Sequence, residues 1–184
     1  MTQERAPGHE SSLVGDHSKT TSWEMARERL ANPEHQRTSW LATTRPDGRP
    51  HLMPVIAFWI DGAMHVVAGE GTRKARNIAA DGRCVIATTS TTLPSLDIVV
   101  EGRADAVTDD DAVRHIADVL SANWPLEAKG AKVYGPHAPT AGPPPYTIFR
   151  IVPSRVFGLP GMTGMDQFDP ADLPKPTRWE FSGG

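Results

Sequence analysis

The 184-residue chain has a single cysteine, Cys84, so it can form no internal disulfide and no metal site built on several thiolates. Cys84 lies in the apolar run Cys84-Val85-Ile86-Ala87 and reads as a small buried hydrophobe rather than a nucleophile. No stretch reaches the roughly 18 apolar residues that a membrane-spanning helix needs. Residues 1–20 also lack the apolar segment of a secretory signal, so the chain reads as cytoplasmic. Neither sign of charge dominates: 19 Lys and Arg stand against 22 Asp and Glu, for a net charge of −3. No broad basic field is present to attract nucleic acid or an acidic membrane. G-x-S-x-G, P-loop and G-x-G-x-x-G patterns are absent, as are internal repeats. What remains, 39% hydrophobic and 22% charged residues, is the profile of a globular domain large enough to fold on its own core.

Residues 1–20 are polar and aperiodic and read as a disordered tail. Thr21 with Glu24 forms a capping box ahead of Trp23, Met25, Ala26 and Leu30 at helical spacing, and Asn32-Pro33 stops that helix. Strands follow at 39–44, 51–59 and 63–68, joined by turns at Pro46-Asp47-Gly48 and Asp61-Gly62. The nearly continuous apolar character of 51–59 predicts a strand covered on both faces. Thr72 opens a short helix with Ala75, Ile78 and Ala79 on its buried stripe, closed by Asp81-Gly82. Strands are predicted again at 83–90 and 96–107. Thr108 caps a helix whose Val113, Ile116, Ala117 and Leu120 share one face. Residues 124–145 read as a surface loop, and 146–152 and 155–159 as the last two strands. The pattern predicts a mainly β (α+β) fold, a six-stranded antiparallel barrel with short flanking helices. Its divisions are a tail over 1–20, a barrel domain over 21–160, and an extension over 161–184 that packs on the barrel or on a partner subunit.

The segment Gly71-Thr72-Arg73-Lys74-Ala75-Arg76-Asn77 is the most informative. A helix N-terminus offers free N–H groups and partial positive charge, which suit a phosphate. Cations in that first turn oppose the helix dipole, and a bound anion would offset the cost. The competing reading is a solvated basic turn with an ordinary threonine cap. In His51-Leu52-Met53-Pro54-Val55-Ile56, the proline interrupts a strand ladder. That frees neighbouring backbone groups for the edge of a planar heterocycle, unless Pro54 simply marks a sheet edge. His51 and His65 are the strand histidines, and neither has a partner at metal-ligand spacing, so no metal site is expected. Asp109-Asp110-Asp111 reads as helix N-terminal charge. Trp179 either covers a pocket or docks the tail.

Three segments together resemble the pyridoxamine 5′-phosphate oxidase-like, flavin and deazaflavin split-barrel family over residues 24–160. They are Ala42-Thr43-Thr44-Arg45-Pro46-Asp47-Gly48-Arg49-Pro50-His51, Gly71-Thr72-Arg73-Lys74-Ala75-Arg76-Asn77-Ile78 and Val99-Val100-Glu101-Gly102-Arg103-Ala104. The resemblance implies an FMN-binding split barrel that forms a homodimer, with cofactor sites at the subunit boundary. It assigns Thr72, Arg73 and Lys74 to the cofactor phosphate, and Met53, Pro54 and Val55, beside His51, to the strand along the ring. Val67 and Ala68 fall on the strand before the phosphate turn, and Asn77 on the helix after it. True pyridoxamine phosphate oxidases end in a strand whose arginine holds the substrate phosphate. Here the tail offers only Arg178, out of that context, which argues against vitamin B6 oxidation.

The expected function is a flavin- or deazaflavin-dependent oxidoreductase that moves hydride to or from a small organic substrate, with coenzyme F-420 favoured. The alternatives are an FMN-dependent oxidase or flavin reductase, and a non-catalytic haem or flavin binder. No catalytic residue is assigned, because the cofactor supplies the reactive step.

Overall fold

The computed structural model describes residues 5–15, 19–32, 38–88 and 92–182. Six antiparallel strands close on themselves in the order β9 (Tyr146–Pro160), β4 (Ala63–Gly69), β3 (Pro50–Ile60), β2 (Thr38–Thr44), β5 (Arg83–Thr88) and β6 (Leu96–Ala106), with β6 pairing back to β9. The predicted six-stranded barrel is therefore the observed architecture. Asp61 and Gly62 both take positive φ, 49° and 74°, the two-residue turn whose twist suits a hairpin. Helix α2 (Arg73–Ala80) packs Ala75 and Ile78 into the barrel core, while Ala79, expected on that stripe, is exposed. No helix among the described residues is long and apolar enough to cross a membrane.

A second core lies outside the barrel, where α3 (Asp110–Leu120) covers β3, β4 and β9 with Val113, Ile116, Ala117 and Leu120. Along β3, Ala57 and Trp59 enter the barrel while Phe58 and Ile60 lie under α3. Only this second half of β3 is covered on both faces. Leu52, Met53 and Ile56, in the half expected to be covered as well, are exposed.

Several local expectations are corrected. Ser22, not Thr21, caps α1 (Trp23–Ala31), because the Thr21 hydroxyl is engaged with the backbone of Lys175 and Glu24 pairs with Arg27. Asp109 rather than Thr108 caps α3, accepting the Ala112 N–H at 2.8 Å. The predicted last two strands are one. In β9 the register skips Ser154, opposite Glu101 and Gly102, as a bulge at a proline allows. A Cβ on Gly102 would lie 2.2 Å from the Val152 carbonyl oxygen, so only glycine fits there. Residues 124–145 are more than surface loop. They hold the hairpin β7 (Glu127–Lys129) and β8 (Lys132–Tyr134) and bury Leu126, Val133 and Ala141 in the second core. Strands of three residues are too short to show a period.

The ends of the chain also depart from the reading. Within the tail 1–20, β1 (His9–Ser12) pairs with β10 (Thr177–Glu180), which lies along β9 beyond its ladder with β4. Trp179 is fully buried, so it docks the extension on the barrel and covers no pocket. Trp23 sits edge-on to Trp59, Trp179 and Phe181, with ring centroids 5.1–5.9 Å apart. Pro33 and the expected strand end at 89–90 lie outside the described residues.

Candidate cofactor site

Strand β4 ends at Gly69, where any Cβ would meet the carbonyl oxygens of Ala141 and Pro143 at 2.9 Å. The chain turns there into α2. Thr72 caps the helix by accepting the Ala75 N–H at 3.4 Å, and its own hydroxyl donates to the Gly69 carbonyl at 2.8 Å. The hydroxyl is therefore already spent within the turn. Arg73 points to solvent, whereas Lys74 is buried and its ammonium donates to the Thr140 carbonyl. Burial lowers the Lys74 pKa from its ordinary value.

Asn77, fully buried, donates from Nδ2 to Thr43 Oγ1 at 2.9 Å, and that hydroxyl lies 3.4 Å from His51 Nδ1. A polar line thus runs from α2 through β2 to β3. The His51 pKa is lowered, first by burial and then by the charges of Arg45, Lys74 and Arg73. These three cations come from two segments far apart in sequence, and Asp47 lies near one of them, Arg45. Glu70, in the turn itself, is paired with Lys132.

The ladder between β3 and β4 runs only from Ala57 and Val66 to Ile60 and Ala63. Residues 50–56 and 67–69 diverge beyond it, which leaves the facing strand edges unpaired with each other. Met53, Pro54 and Val55 lie on this free stretch of β3. Met53 and Val55 register with Leu41 and Ser39 on the inner face, and Pro54 with Trp40 on the outer face. Val67 and Ala68 lie on the free stretch of β4. Their side chains are buried in the second core and the barrel core respectively, so only their backbone edge faces the gap.

The structure therefore brings together His51, Lys74, Arg73 and Asn77 at one end of the gap, keeps Thr72 in the turn as the cap of α2, and places Met53, Pro54, Val55, Val67 and Ala68 along the edges. The sequence reading assigned no role to Arg45 or Thr43, although both stand in the motif 42–51. A cation following two threonines at the end of β2 was the available signal. Arg45 is half-buried with Nε unpartnered among the described residues. Of the other titratable groups, burial pushes the Cys84 thiol up to about 12 and leaves it an inert core residue. The described residues hold no cluster of His, Cys, Asp and Glu that would ligate a metal ion.

Among solved structures the chain is similar in fold to an FAD-binding protein from Mesorhizobium loti, with 21% identity over 76% of this chain and 95% of that one (TM-score 0.54). It is similar to an F-420 reductase at 22% identity, over 70% of this chain and 94% of that one (TM-score 0.50). A haem-binding protein from Mycobacterium smegmatis matches at 17% identity, over 75% of this chain and 55% of that one (TM-score 0.53). No curated protein matches the chain in sequence. The family model described as pyridoxamine 5′-phosphate oxidase matches residues 25–159, nearly the whole barrel. The chain belongs to the pyridoxamine 5′-phosphate oxidase family.

Proposed function

We propose that this protein is an oxidoreductase that binds a flavin-type cofactor, coenzyme F-420 by preference, and transfers hydride to or from a small organic substrate. The observation that carries the reading is that the charges of Arg45, Arg73 and Lys74 all act on His51 at the start of α2. Such a site calls for an anion, and a cofactor phosphate supplies one. Arg73 and Lys74 would hold that phosphate with the α2 backbone, Lys74 exchanging the Thr140 carbonyl for it. The unpaired edges of 53–55 and 67–68 would receive the polar rim of the ring. Asn77, through Thr43, would orient His51 beside it. The bound cofactor supplies the redox chemistry, and the chain supplies position and exclusion of water. The fold neighbours that bind FAD or act on F-420 are consistent with this reading.

The site opens beside an apolar outer face on which Trp40, Leu52 and Ile56 are 46%, 57% and 44% exposed. We propose that a second copy of the chain covers this face and closes the site. FMN is the second reading, because the same cations suit its phosphate equally.

Fluorescence titration of the apo-protein with F-420 and, separately, with FMN tests the proposal. Tight binding of F-420 alone is expected. Tight binding of FMN alone moves the reading to an oxidase or flavin reductase, and binding of neither overturns it. Replacing Lys74 with Ala should weaken cofactor binding by about 1.5–3 kcal/mol, the scale of a hydrogen bond to a charged group.

A further inference from the structure

A cavity of about 520 Å³ opens away from the α2 turn, lined by residues that include Asp61, His65, His115, Ile116, Arg150 and Val152. It sits where the β3–β4 turn, the first half of α3 and the middle of β9 meet. The α2 turn starts beyond the other end of β4, and the two sites share no residue. A volume of this size matches a small-molecule pocket.

Its wall is chemically uneven. His65 is 2% exposed with its ring beside the Ala63 backbone, and its Nδ1 makes no well-formed hydrogen bond, an arrangement that folding alone does not favour. Burial, and then the charge of Arg150, lowers the His65 pKa to about 4, so the ring is neutral near pH 7. Asp61 is met by His115, with Nε2 3.0 Å from Oδ2. Arg150, opposite His65 in the β4–β9 register, has no ion-pair or hydrogen-bond partner among the described residues. Arg5 adds a second guanidinium at the rim, itself donating to the Ser182 carbonyl. Val107, Ala112, Ile116 and Val152 make the remaining wall apolar.

We propose that this cavity is a second binding site, for a small organic monoanion whose carboxylate meets Arg150 and whose apolar body lies against Ile116 and Val152. His65 is its neutral hydrogen-bond partner. Asp61 at the rim disfavours a dianion such as a phosphate monoester. Neither the redox reading nor the cofactor uses these residues.

The test is a titration of the full-length protein, with isotope-labelled histidine, by benzoate near pH 7, read from the ring signals of His65 and His115. Saturable shifts of both are expected, and neutral benzamide should bind at least about ten-fold more weakly. Arg150→Gln should weaken benzoate by about ten-fold or more and leave benzamide unchanged, while Arg150→Lys restores part of the affinity. Arg150 is exposed, so these variants keep the fold. The proposal is overturned by the absence of saturable shifts, by equal binding of benzoate and benzamide, or by benzoate affinity that ignores Arg150→Gln.

Discussion

His65 shows how far one buried side chain can couple this fold to pH. Its imidazole is held neutral with a pKa of about 4 against an ordinary 6.5. The unfolded chain therefore binds a proton between these values that the folded chain does not. His65 thus costs no stability above about pH 6.5, and the protein loses stability as pH falls toward 4, by about 3 kcal/mol over that window. Urea midpoints of wild type and His65→Gln against pH should diverge in slope there. Parallel curves would show that His65 does not titrate with folding. The sequence identified His65 as a strand histidine without a metal partner, but its face was hidden. That face depends on α3, which arrives some 45 residues later and covers the outer side of β4. Cys84 was legible because the run around it is apolar whichever way the strand faces. Thr43 and Arg45 were not, because their roles arise only when α2 lies across β2.

At the scale of elements, the sequence carried most where a period or a glycine turn spans several residues. The α3 stripe and the Asp61-Gly62 hairpin are examples. It carried least where an element is held by a distant partner. Strand β10 alternates buried and half-buried positions but has only four residues, too few for the period to announce a strand, yet it buries Trp179 among Trp23, Trp59 and Phe181. Gly158 in β9 is what admits that ring, since a Cβ there would lie 2.7 Å from it. Truncation of Trp179 to Ala should cost about 3–5 kcal/mol, the range for a large aromatic removed from a core. Chemical denaturation followed by tryptophan fluorescence measures it. A loss under 1 kcal/mol, about that of a surface change, would mean that β10 is dispensable to the barrel. The same contacts explain the shifted cap of α1: Thr21 is recruited to tie the tail, so the next hydroxyl takes its place.

For the whole molecule, the barrel was legible because six strands broken by two or three short helices leave few other closed arrangements. The second core was not, since it draws on 124–145, where no periodicity announces burial. The homodimer proposed for the outer face gives a prediction at this scale. Replacing Trp40 with Glu places a charge in the centre of that face and should convert a dimer to a monomer in sedimentation velocity. It should also weaken cofactor binding if the partner closes the site. A wild-type monomer at micromolar concentration would overturn the assembly while leaving the phosphate turn intact.

The pairing of β1 with β10 has a consequence for how the protein is made. The Thr21 N–H bonds to Thr177 Oγ1 across 156 positions of sequence, and the ring of Trp23 waits for Trp179 and Phe181. A ribosome that has not yet released residues 177–181 holds a chain whose aromatic cluster is open to water. Closure waits until those residues have emerged, and until then the exposed rings are surface on which a chaperone, or another nascent chain, can act.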